Sequence, residues 1–143
     1  NRSLAYAALG KYQQAIDDCN EAIRLKPNYA AAYANRGNIY ANFGNYRRAI
    51  EDYNKAIHLQ PDLTQVYNNW GAIYAKLGQY QMAIEQFNKA ISLKTDYAQA
   101  YKNRGRVYLS RGNKELGCRD FLKACEFGKC ELLEVAKDEG ICH

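Results

Sequence analysis

The stretch Asn35-Arg36-Gly37-Asn38-Ile39-Tyr40 returns as Asn69-Trp70-Gly71-Ala72-Ile73-Tyr74 and again as Asn103-Arg104-Gly105-Arg106-Val107-Tyr108. Asn1-Arg2-Ser3-Leu4-Ala5-Tyr6 is a fourth copy, cut at its front. Successive copies begin 34 residues apart. A fixed period of that length is the mark of stacked two-helix units, each burying its apolar face on a neighbour. Gly10, Gly44, Gly78 and Gly112 form one column, and Ala22, Ala56, Ala90 and Ala124 another.

Within a copy the apolar residues keep helical spacing. Tyr33, Gly37 and Tyr40 share one face, as do Tyr46, Ala49, Ile50, Tyr53, Ala56 and Ile57. Asn42-Phe43-Gly44-Asn45 is a stop, with Gly44 suited to the left-handed conformation at a helix end. The pattern predicts helices near 1–8, 12–25, 30–43, 46–59, 64–77, 80–93, 98–111 and 114–127. It divides the chain into units at about 1–29, 30–63, 64–97 and 98–129, then a capping helix and tail over 130–143. In the cap, Leu132, Leu133, Val135 and Ala136 are expected to cover Phe121, Leu122 and Cys125. The chain opens inside a repeat and so reads as a piece of a longer array.

A second pattern runs through the copies. Arg2, Arg36 and Arg104 share a column, and Asp18, Asp52 and Asp120 follow sixteen residues later. The third copy lacks both, having Trp70 and Gln86. Arginine and aspartate come and go together, which predicts an ion pair between the two helices of one unit. Pairing to the next unit would set Asp52 against Trp70.

These columns resemble the tetratricopeptide repeat, whose pattern is matched in the third copy by Tyr67, Trp70-Gly71, Tyr74, Ala83, Phe87, Ala90 and Thr95. Tyr67, Trp70 and Thr95 depart from the usual Trp, Leu and Pro. The resemblance implies an all-α, right-handed α-solenoid of antiparallel helix pairs, with a concave face that binds peptides and no enzymatic activity of its own. It assigns to that face one asparagine per unit, Asn1, Asn35, Asn69 and Asn103, with Asn38, Gln65, Asn68, Gln99, Lys102 and Arg106 extending the polar lining. A carboxamide offers two donors and an acceptor, so a ladder of them suits the main chain of an extended peptide. Asparagine is a modest helix former, and its repetition inside a helix argues for a use. The chaperone-binding carboxylate clamp of this family would fall on Ala34, Asn38, Asn69, Gln99 and Asn103, where every cationic member is missing. Lys76, Lys102 and Arg106 still make one end of the groove basic, so an acidic segment is the expected occupant.

Four of the five cysteines, Cys118, Cys125, Cys130 and Cys142, lie near the C-terminus. Three states are open to them: free thiols, zinc ligands, or disulfides. An antiparallel cap would pair Cys125 with Cys130 and Cys118 with Cys142. Cys19 is expected as a small core residue.

A net charge of +5, spread along the chain, lacks the basic stripe of a nucleic-acid binder. No apolar run approaches the ~20 residues of a membrane span. No phosphate loop, nucleophile elbow or metalloprotease motif occurs, and no cofactor is expected. The expected function is a protein-interaction scaffold holding an extended segment. The alternatives are a recruiting arm of a larger enzyme and a scaffold that self-associates through its front end. Nothing in the sequence fixes the compartment, although the cytoplasm is the default.

Overall fold

The computed structural model describes the backbone of residues 2–143 and the side chains of 9–143. Every regular element among them is helical. In chain order these are α1 (Arg2–Leu25), α2 (Ala30–Asn42), α3 (Tyr46–Leu59), α4 (Thr64–Lys76), α5 (Tyr80–Leu93), α6 (Ala98–Ser110), α7 (Lys114–Glu126) and α8 (Glu131–Asp138). The contacts group them into two units, Asn1–Val66 and Tyr67–His143, with the division falling inside α4.

In the first unit α2 packs on both α1 and α3. The turn from α2 to α3 needs Gly44, whose φ is +80°. There Asn45 N–H donates to Tyr40 O (2.9 Å) and Gly44 N–H to Ala41 O (3.1 Å), closing the end of α2. The Asn45 side chain then accepts from Arg48 N–H and starts α3.

The first copy behaves differently. Instead of the two helices expected over 1–8 and 12–25, α1 is a single helix of 24 residues that runs straight through Gly10. The residue after the glycine also differs, although the turn at Gly78 forms without a side-chain cap from Gln79. Asn45 and Asn113 each cap the helix that follows. Lys11 stands at the same place in the first copy and has no oxygen to offer an N–H. Ala5, Ala7, Ala8 and Leu9 before the glycine are strong helix formers.

In the second unit α5 packs on α6, α6 on α7 and α7 on α8. Ala83, Ile84, Phe87 and Val107 form a core, with Tyr74, Ala75, Tyr80 and Tyr108 against it. The helices of a pair approach closely because a glycine faces an aromatic ring. A Cβ on Gly71 would stand 2.7 Å from the Phe87 ring. Tyr53 and Phe87 are the largest side chains wholly removed from solvent, one in each unit. A buried aromatic ring removes a large apolar area from water in each of these pairs.

Helix α8 folds back on α7 and is tied to it at both ends. Disulfides join Cys118 to Cys142, with Cα atoms 5.7 Å apart, and Cys125 to Cys130. The four sulfurs form two separate disulfides, the third of the states open to them from the sequence. Phe121, Leu133, Ala136 and Cys142 form the core of this end. The cap covers less than expected: Leu122 and Val135 remain about half exposed. Leu133 and Ala136 are three apart and take the inward face of α8, and in a helix of eight residues Val135 falls outside it.

Candidate functional site: the polar face of α4 and α6

Of the residues singled out in the sequence, Asn1 and the side chain of Arg2 lie outside the described residues. The Arg2–Asp18 ion pair, expected within a folded-back unit, does not suit the observed backbone. Both residues lie on one continuous helix, and sixteen residues of helix span ~24 Å.

The other two ion pairs are bidentate. Arg36 Nε and Nη2 donate to Asp52 at 2.8 and 2.7 Å, and Arg104 Nε and Nη2 donate to Asp120 at 2.8 Å each. Asp52 and Asp120 are 5% and 2% exposed, so each carboxylate depends on its arginine. For Arg104, burial disfavours the charge while the hydrogen bonds and charge of Asp120 favour it; the balance lies above the usual arginine value. Each guanidinium also reaches an additional helix, donating through Nη1 to Asn20 of α1 (2.8 Å) or Asn88 of α5 (2.7 Å). Sequence reasoning missed these third partners. The signal was there: Asn20, Asn54 and Asn88 are 34 residues apart, sixteen before the arginine column. At the copy without the pair, Trp70 Nε1 and Gln86 Oε1 are both buried and have no hydrogen-bond partner among the described residues. The arginine, aspartate and asparagine side chains thus join three helices at each of the two sites.

The proposed ladder divides in two. In the first unit Asn35 is exposed, and Asn38 accepts from the buried Tyr53 hydroxyl at 2.6 Å. Burial, and secondarily the nearby Asp52 carboxylate, keeps that hydroxyl protonated far above the usual tyrosine range. Asn38 therefore serves the α2–α3 junction.

In the second unit the carboxamides are wired in series. Asn103 Nδ2 donates to Asn68 Oδ1 (3.1 Å), and Gln99 Nε2 donates to Asn103 Oδ1 (3.3 Å). Asn68 is 4% exposed and also hydrogen-bonds the Tyr97 hydroxyl. Burial raises the pKa of that hydroxyl, and the bond with Asn68 partly offsets the rise. Asn68 thus belongs to the packing between α4 and α6 rather than to an open surface, although its neighbour Asn69 is partly exposed. A step of about 100° around the helix separates the two. Among the described residues the series leaves without a hydrogen bond one N–H of Asn103 and, on Gln99, one N–H and the carbonyl, so donors and an acceptor stay available on this face.

Gln99, Lys102, Asn103 and Arg106 are spaced three and four apart and share a face of α6. Beside them a cleft of about 210 Å³ opens, lined by Ala72, Ala75, Tyr80, Phe87 and Val107, with Lys76, Asn103, Arg106 and Ser110 at its polar side. Lys76, Lys102 and Arg106 enter no ion pair with any described residue. The face is therefore cationic, partly apolar and carries hydrogen-bonded amides. Among the described residues no cluster of metal-binding side chains occurs, and no helix is long and apolar enough to cross a membrane.

Known proteins resemble this chain in sequence and in fold. A family model described as a tetratricopeptide repeat matches residues 30–63, and a second, described as a TPR repeat, matches residues 4–44 and 71–112. The small glutamine-rich tetratricopeptide repeat-containing protein of Dictyostelium discoideum is 46% identical over 37 residues, 26% of this chain. The match spans 11% of that curated relative's length. Among solved structures, a crystal structure of MamA superposes with a TM-score of 0.76 at 24% identity, over 94% of this chain and 82% of that one. A MamA RS-1 ArsTM double mutant gives 0.74 at 24% identity, over 96% and 83%. At that identity the likeness shows the fold alone. The family models together cover well over half of the residues, and the chain belongs to the tetratricopeptide repeat family, whose members are protein-interaction scaffolds.

Proposed function

We propose that this chain is a protein-binding module and that the polar face of α4 and α6 holds an extended, acidic segment of a partner. The reading rests on one observation: three cations, Lys76, Lys102 and Arg106, in no ion pair among the described residues, beside amides already fixed in orientation by their own hydrogen bonds. The open N–H of Asn103 and carbonyl of Gln99 match the C=O and N–H of a peptide main chain. Preorganised groups lose little freedom on binding, so these two contacts cost less than flexible side chains would. The cleft over Phe87 takes a small apolar side chain of the same segment, and a carboxylate nearby meets Lys76 or Arg106.

Fluorescence anisotropy with a labelled acidic peptide carrying one leucine tests the reading. Binding should weaken as salt rises, because the cations are exposed or only partly buried. The double substitution Lys102→Glu/Arg106→Glu should weaken it by tenfold or more, about 1.4 kcal/mol. Affinity unchanged by that substitution, or equal affinity for a neutral peptide of the same length, rejects the proposal.

A further inference from the structure

A single column of residues behaves in two ways in this chain. In α3 it is Ala49, Tyr53 and Ala56, and in α5 it is Ala83, Phe87 and Ala90; none of the six is more than 1% exposed. In α1 the same column is Ala15, Cys19 and Ala22, and all three are partly exposed. In α3 the column is covered by α2, folded back through Gly44. In α1 the equivalent front segment continues along the helix axis and cannot lie on its own column. Asp18 shows the same loss. Its counterparts Asp52 and Asp120 are buried against arginines, whereas Asp18 is exposed and in no ion pair among the described residues.

The register of the missing cover follows from the folded pair. A Cβ on Gly37 would meet the Tyr53 ring at 2.8 Å and the Ala49 carbonyl at 3.2 Å, and Arg36 pairs with Asp52. The midpoints of 37 with 53, 37 with 49, and 36 with 52 are 45, 43 and 44, centred on Gly44. One period of 34 residues earlier, that centre is residue 10, and Arg2 and Asp18 are symmetric about it. Two α1 helices laid antiparallel in this register are therefore related by a two-fold axis at Gly10. Each contributes its front segment to the other's open column, and the contact is isologous and closed. The charges agree: Arg2 of one copy falls opposite Asp18 of the other, twice. The axis lies at a residue without a Cβ, and a Cβ there would find nothing within 4 Å.

We propose that α1 is a dimerisation element through which two copies of this chain exchange their front segments, pairing antiparallel about Gly10. The exchange gives each first copy the helix partner that the other copies have within one chain.

A Ser3→Cys substitution reads this out, using the native Cys19 as its partner. Positions 3 and 19 correspond to the touching pair Gly37 and Tyr53. After oxidation with oxidised glutathione, a disulfide between 3 and 19 should join two chains, seen as doubled mass on a non-reducing gel and located by peptide mapping. The same disulfide within one chain means that the hairpin closes on itself, and overturns the proposal; so does its absence in either form. Asp18 is exposed, so Asp18→Arg leaves the fold intact. In sedimentation it should raise the dimer dissociation constant tenfold or more, and Arg2→Asp added to it should restore association. A single-chain mass for the unaltered protein at every concentration, or an Asp18→Arg variant that associates as before, also overturns it.

Discussion

At the scale of the residue, a buried carboxylate and its guanidinium lock the α2–α3 and α6–α7 pairs. Arg104→Ala would strand Asp120, at 2% exposure, without its bidentate partner and free Asn88 from its donor. Removing one member of a buried pair costs about 3–5 kcal/mol, and urea denaturation should show a loss of that order. Asp120→Ala in the same background should recover part of it, because the remaining cost is that of an unpaired buried charge. The arginine–aspartate pattern was legible in the sequence because both letters change together in the third copy. The asparagines at 20 and 88 follow the same period, yet asparagine is common on helix surfaces, so the period alone does not mark them as partners. The fate of Asn68 was not legible. Asn68 and Asn69 are the same residue type one step apart, and only the position of Tyr97 and Asn103 determines which of them is buried.

At the scale of the element, two glycines of one column adopt different roles. Gly44 has φ of +80°, whereas Gly10 sits inside α1 without a positive φ. Gly44→Ala should therefore destabilise by about 1–2 kcal/mol, since an L-residue resists the left-handed region. Gly10→Ala should instead stabilise by about 0.5–1 kcal/mol, because a helical interior favours alanine. Thermal melts at low protein concentration check both signs, and a loss on Gly10→Ala would mean that α1 bends there. The period alone could not separate these cases. Repetition predicts the same turn four times; the caps of Asn45 and Asn113 favour it, the turn at Gly78 forms without a side-chain cap from Gln79, and α1 continues through Gly10. The remaining helices, α2 to α8, were readable within a few residues because glycine, tyrosine and alanine recur at spacings that only stacked helix pairs satisfy.

At the scale of the whole molecule, the C-terminal end has a covalent supplement to its packing. Cys118–Cys142 closes a separation of 24 residues and Cys125–Cys130 one of 5. Constraint of the unfolded chain gives about 3.5 kcal/mol for the longer loop and about 2 kcal/mol for the shorter. Cys118→Ser should lower the stability of this end more than Cys125→Ser, and hydrogen exchange across α7 and α8 should show the difference locally. Arrays of repeats need not melt as one body, because coupling runs only between adjacent members. The sequence contains a single tryptophan, and Trp70 is 9% exposed. Its indole is a built-in optical probe of the middle of the array. If its emission shifts to the red at the same denaturant concentration at which helical ellipticity collapses, the array comes apart in one step. If the two curves separate, the ends and the centre are thermodynamically distinct, and a partner could be released by partial opening while the rest of the scaffold stays folded.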